Sequence, residues 1–250
     1  MKRLGLLCLL CLLATSVVGQ VDTGGLMIPG DAAVQVGRKS VKLLPPLDGL
    51  VDVWVWSDYT PGALSWPGSI NNYQYTFPGA ALTVASNSIA NIGVNNNKTL
   101  FMSPQDMTFF AIMYKRNVVN TIGMFGTTTP VDFSANLHNT AFDWYDRPPR
   151  SGYIISVSGF SDFTDKWIEF EFYYPKSGAS YCQIDGVKKT GAITTNASAS
   201  FNLGVFSDAT SNKFRGYVKC FAIYNDKVLD DETKSLIWAY LRARAGEYAP

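Results

Sequence analysis

Two carboxylates separated by one residue, Glu169 and Glu171 in Trp167-Ile-Glu-Phe-Glu-Phe172, are the acid–base candidates of this chain. Residues i and i+2 of an extended strand share a face, so both acids would project from one side of a sheet. Two acids on one face could act together as proton donor and acceptor toward a bound group. The same alternation sends Ile168, Phe170 and Phe172 to the opposite face, so two plain solvent-facing acids satisfy the pattern equally. A second group, Asp143, Trp144, Tyr145, Asp146 and Arg147, lies within Phe142-Asp-Trp-Tyr-Asp-Arg-Pro-Pro-Arg150. Aromatic rings offer flat faces to sugar C–H groups, charged groups supply directed hydrogen bonds, and two prolines restrict the loop, so these five are the ligand-binding candidates. If Phe142 and Trp144 instead point into a core, the charges only solvate a turn.

Other chemistries lack their residues. The chain has a single histidine, His138. A nucleophilic triad would have to be built on it, and zinc sites want several His or Cys ligands. Between Leu137 and Asn139 it reads as a surface or turn residue.

The first residues, Met1-Lys-Arg3, precede an apolar run from Leu4 to Leu13 and the small residues Val17-Val-Gly19. A charged start, an apolar core too short to span a bilayer and small residues before a cut site predict a secretory signal peptide over residues 1–19, with an uncleaved anchor as the alternative. Residues 20–48, rich in Gly and Pro, then read as a linker or edge segment, and residues 49–250 as one domain. Removing Lys2 and Arg3 leaves 19 basic against 20 acidic residues, a net charge of −1. Nucleic acid and anionic membranes call for a basic excess, so neither is an expected partner, and the mature chain shows no further apolar span. The sequons at Asn97 and Asn196 fit glycosylation of a secreted chain.

Of four cysteines, Cys8 and Cys11 leave with the signal peptide. Cys182 and Cys220 then meet an oxidising compartment in strand-like surroundings, which predicts a disulfide between them. On the chain-entropy argument, closing a loop of about 39 residues would stabilise the fold by roughly 4 kcal/mol.

The elements that must carry these groups are short strands separated by polar breaks. Leu50–Trp56, Met107–Tyr114, Trp167–Tyr174 and Ser180–Ile184 are the strongest, with further strands expected over 71–77, 80–84, 121–125, 131–137, 140–145, 153–157 and 187–191. Asp185-Gly186 is a type I′ hairpin signal. The end of the chain reads as a long strand, Phe214–Asn225, feeding a helix capped by Asp230, with Asp231 and Glu232 in its first turn and Arg242 and Arg244 in its last. Its apolar stripe, Leu236, Ile237, Tyr240 and Leu241, is expected to dock on an edge of the strand assembly.

This closing segment resembles that of laminin-G-like domains of the concanavalin A-like superfamily, a strand of the form F-x-G-x-I-x-x-V-x-I-Y-N followed by a leucine and an acid-capped helix. The matching residues are Phe214, Gly216, Val218, Phe221, Ile223, Tyr224, Asn225, Leu229 and Glu232. Trp54, Ser57 and Asp58 resemble the family's opening strand, and Trp167, Tyr174 and the Asp185-Gly186 turn its central hairpin. The resemblance covers roughly residues 50–246. It implies an all-β, two-sheet antiparallel jelly-roll sandwich with one C-terminal helix, of a kind that mostly binds glycans or extracellular proteins. It also implies a minority reading, a polysaccharide-cleaving hydrolase; a structural component of an extracellular matrix or particle is a third reading, which would show an exposed apolar patch or oligomerisation. The hydrolases carry E-x-D-x-x-E or E-x-D-x-E, and this strand lacks the central Asp. Calcium is the family's usual metal, but Lys219-Cys220 stands where relatives often place Asp-Glu, leaving Asp208 and Asn212 as metal candidates. The expectation is a secreted, non-catalytic binding module without an obligatory cofactor.

Overall fold

The computed structural model describes residues 44–77, 81–90, 100–102, 106–116, 122–127, 133–146, 153–195, 201–206 and 214–248. The expected signal peptide, both sequons and the Asp208/Asn212 pair lie outside the described residues. The described chain begins with β1 (Leu50–Val55), β2 (Ser65–Pro67), β3 (Gln74–Thr76), β4 (Thr83–Ala85), β5 (Ser88–Ala90), β6 (Leu100–Met102), β7 (Met107–Lys115) and β8 (Ile122–Thr127). It continues through β9 (Phe133–Leu137), β10 (Ala141–Asp146), β11 (Tyr153–Ser158), β12 (Lys166–Tyr174), β13 (Ser177–Ile184), β14 (Val187–Thr195), β15 (Phe201–Val205), β16 (Gly216–Tyr224) and helix α1 (Asp231–Ala245).

Fourteen of the sixteen described strands make an antiparallel jelly-roll sandwich of two sheets, and β2 and β3 pair separately. One sheet runs β14-β13-β12-β7-β16-β5-β4, with β1 also paired to β16, and the second runs β11-β10-β9-β8-β15-β6. Between them lies an aromatic core. Phe125 packs edge-on against Phe109 at 4.7 Å and stacks on Phe172 at 5.7 Å, while Phe142 meets Phe170 at 5.3 Å. The short β2–β3 hairpin adds Trp66 and Tyr75. Indole N–H groups of Trp54 and Trp66 donate to the carbonyls of Trp66 and Val55, so neither buried ring leaves a donor stranded.

The long closing strand that the sequence predicts is β16, which pairs with β7, β5 and β1 in the larger sheet. A Cβ at Gly216 would stand 1.8 Å from the carbonyl oxygen of Tyr114, so only glycine lets β16 approach β7 there. Its register slips between Val218 and Cys220, a bulge that puts one extra residue on β16. The bulge resets the alternation. Val218, Phe221 and Ile223 belong to the inter-sheet core, whereas Cys220, Ala222 and Tyr224 belong to a second apolar cluster on the outer face.

That outer face is where α1 sits. Asp230 caps it by accepting from the Thr233 amide at 2.7 Å, as expected. The docking surface differs from the expectation in place and in residues. Ile237, Trp238, Tyr240, Leu241 and Ala245 are buried against Phe110, Ile112 and Ala222 in the middle of the sheet, and Leu236 is 56% exposed. Trp238 takes the place expected of Leu236, packing edge-on against Phe110 at 5.4 Å.

The predicted disulfide is absent: Cys182 and Cys220 are both free and buried. Cys182 faces the inter-sheet core and Cys220 faces α1, on opposite sides of the sheet. Strands β12 and β7 separate them. Three strand spacings amount to about 14 Å, twice the Cα separation a disulfide tolerates. Burial pushes both thiols above their ordinary range.

Candidate functional site

The two carboxylates of β12 do share a face, but neither is a plain solvated acid. Glu169 receives the Arg242 guanidinium on both oxygens, Nε to Oε1 at 2.7 Å and Nη2 to Oε2 at 2.6 Å, and the Tyr248 hydroxyl at 2.6 Å. Burial alone would raise its carboxyl, but these donors more than offset that and hold it below the usual range. Glu171, 2% exposed, accepts the Tyr181 hydroxyl on Oε1 and the Trp238 indole N–H on Oε2 at 3.1 Å. Both acids therefore anchor α1 to the sheet. Lys219, in the bulge of β16, joins them by donating to the carbonyls of Ala245 and Glu247 at 3.1 and 2.7 Å. A cation at a helix C-terminus complements the carbonyls exposed there, so this lysine caps the helix where the family resemblance would place metal ligands.

Beside this anchor, a cleft of about 310 Å3 opens between the first turns of α1 and the outer face of β12–β14. Its walls combine Glu171, Tyr181 and Gln183 from the sheet, Lys188 from β14, and Lys234, Ser235 and Trp238 from the helix. The Lys188 ammonium lies 3.9 Å from the Tyr181 ring centroid and the Lys234 ammonium 5.1 Å from it. Burial, then the charge of Glu171, pushes the Tyr181 phenol well up, so it remains a hydrogen-bond donor at any ordinary pH. The edges of two buried rings, an amide, a hydroxyl and charges of both signs thus meet between the sheet and the helix.

The sequence missed most of these residues because four separate elements, β12, β13, β14 and α1, supply them. One signal was present. Asp185 and Gly186 have φ of 48° and 79°, the expected hairpin turn, and such a turn fixes Gln183 opposite Lys188. A smaller pocket of about 160 Å3, lined by Phe160, Phe163, Ile184 and Val187 with Asp162, Lys166 and Asp185, lies near that turn. Asp185 there accepts from the Glu169 amide at 2.8 Å.

The second predicted site is not assembled as expected. Trp144 is fully buried in the inter-sheet core, 5.4 Å from Phe172, and cannot stack on a ligand. Strand alternation explains it: β10 continues through residue 146, so Phe142 and Trp144 both point inward. Asp143 points outward and pairs with His138 Nε2 at 2.7 Å, which puts that histidine at the hairpin between β9 and β10. The side chains of Tyr145 and Asp146, and all of Arg147, lie outside the described residues. Among the described residues, no three His, Cys, Asp or Glu side chains gather as a metal site.

No protein-family model matches the chain, and no curated protein matches it in sequence. Solved structures do resemble its fold. A sialidase from Trypanosoma rangeli, in complex with the inhibitor DANA, superposes on 79% of this chain with a TM-score of 0.54 at 12% identity. The match covers 33% of the sialidase, so the chain spans about a third of that protein's length. The binding domain of botulinum neurotoxin serotype G superposes on 76% of this chain and 51% of its own, with a TM-score of 0.50 at 15% identity. At these identities the likeness concerns the fold alone, an antiparallel β-sandwich.

Proposed function

We propose that this protein is a secreted, non-catalytic module that recognises a glycan in the cleft between α1 and β12–β14. The observation that carries the reading is the cleft itself, where Gln183, Lys188, Lys234 and Ser235 supply directed polar groups around the edges of Tyr181 and Trp238, rings that are 6% and 7% exposed. Concave sites of this composition suit ligands with alternating C–H patches and hydroxyls. Secretion rests on the signal-like residues 1–19.

The non-catalytic part of the proposal rests on what Glu169 and Glu171 are bonded to. A general acid or nucleophile needs an oxygen within reach of the scissile bond. All four carboxylate oxygens here accept from Arg242, Tyr248, Tyr181 or Trp238. Screening the protein on a glycan array, followed by product analysis of each binder, tests both parts. Binding to a subset of glycans without cleavage, weakened by Gln183→Ala at unchanged melting temperature, is the expected result. An empty array would contradict the glycan assignment and leave an extracellular protein as ligand, whereas released saccharide would contradict the non-catalytic one.

A further inference from the structure

Resting on the glycan reading, we infer that the recognised saccharide is acidic, its carboxylate or sulfate held in the cleft by the ammonium groups of Lys188 and Lys234 that line it. The two cations come from different walls of the cleft, β14 and α1, yet converge on one ring, 3.9 and 5.1 Å from the Tyr181 centroid. Each gains from the negative face of the ring while repelling the other. An anion in the cleft is attracted by both, against a Glu171 carboxylate whose charge is offset by Lys234 and by the Tyr181 and Trp238 donors.

The hydrogen-bonding inventory of the cleft points the same way. Its buried acid is saturated, since the Glu171 oxygens already accept from Tyr181 and Trp238. Its bases are not. Lys234 stands 3.9 Å from Glu171 and 3.6 Å from Asp231, beyond hydrogen-bonding distance, so its charge is balanced while its N–H groups are not spent on those acids. Its side chain is only 16% exposed, which limits how far water competes for those donors. Asp231 is fully exposed at the mouth of the cleft, where solvent and salt screen its repulsion of an arriving anion. A lysine ammonium binds carboxylate or sulfate as a point charge with rotatable donors, and two of them accept either group. Around this pair, the Gln183 amide lies opposite Lys188 in register, and Ser235 donates its hydroxyl to the Asp231 carbonyl, keeping its lone pairs for a sugar hydroxyl.

The test is calorimetric titration of the protein with three oligosaccharides of a backbone that binds on the glycan array, neutral, uronate-bearing and sulfated. The acidic forms are expected to bind about ten-fold more tightly than the neutral one, an advantage that shrinks as salt is raised. Lys188→Gln should abolish most of the advantage with the melting temperature unchanged, and the relative strength of the two acidic arms identifies the anion. Equal binding of neutral and acidic forms, indifferent to Lys188→Gln, would overturn the inference and leave glycan recognition standing. Tight acidic binding that survives Lys188→Gln would also overturn it, because the anion would then be held elsewhere. Failure of all three saccharides to bind would overturn the inference together with the reading it rests on.

Discussion

The two faces of β12 differ in what holds them. Inward, Ile168, Phe170, Phe172 and Tyr174 are buried in a continuous apolar core that any hydrophobic residue of similar size would partly satisfy. Outward, Glu169 and Glu171 bind α1 through a small set of oriented polar contacts. The inner face stabilises the sandwich without directional requirements. The outer one fixes where the helix lies, and with it the shape of the cleft. Sequence alternation distinguishes the faces of a strand, but it does not tell which covering element a polar face will receive.

Substitutions on the two faces should separate these roles. Phe172→Ala, which deletes a ring packed between Phe125, Phe142 and Trp144, is expected to cost about 3–5 kcal/mol in denaturant unfolding. Glu171→Ala should cost less, about 1–3 kcal/mol, by leaving the Tyr181 and Trp238 donors buried without an acceptor. Glu171→Gln, which keeps one acceptor oxygen, should fall between Glu171→Ala and wild type. If Glu171→Ala proved as costly as Phe172→Ala, the outer face would be part of the core in energetic terms.

Glu169→Gln should cost about 1 kcal/mol or less, because Arg242 is half exposed. This contribution carries a pH signature. The folded carboxyl lies below its ordinary value, so the ion pair contributes fully above the ordinary glutamate range and is lost as pH falls through the depressed value. The gap in melting temperature between wild type and Glu169→Gln is therefore expected at neutral pH and should close on acidification. The smallest effect concerns the thiols. A reductant should leave the melting temperature unchanged, and Cys182 and Cys220 should react with a thiol reagent only after denaturation.

Much of the fold can be read from residues alone. The Asp185-Gly186 turn, the capped helix and the long strands β7, β12 and β16 all follow from pattern and turn chemistry. The three-residue strands β2, β5 and β6 are too short to display a period, and the glycine of β15, Phe-Asn-Leu-Gly-Val, interrupts its strand pattern. The bulge at Lys219 did leave a mark, the three-residue step from Val218 to Phe221 before the two-residue step to Ile223, which a straight strand cannot place on one face. The disulfide failed because the oxidising compartment says that cysteines would pair and nothing about whether they can meet. Asp52 likewise sits in a strand of valines, and only the tertiary fold reveals that its buried carboxylate accepts the amides of Val53, Ile70, Asn71 and Tyr73. The cleft was hidden for the same reason, since β13, β14 and α1 meet there only after the helix docks.

The most direct test of that cleft is to follow the indole N–H resonances of the protein by NMR during saccharide titration, with Trp238 assigned through Trp238→Phe. The Trp238 signal and the amides of Gln183 and Lys188 should move together, while the indoles of Trp54 and Trp144, buried between the sheets, stay in place. Saturable shifts confined to the second sheet around Asp143, with Trp238 unmoved, would contradict the account.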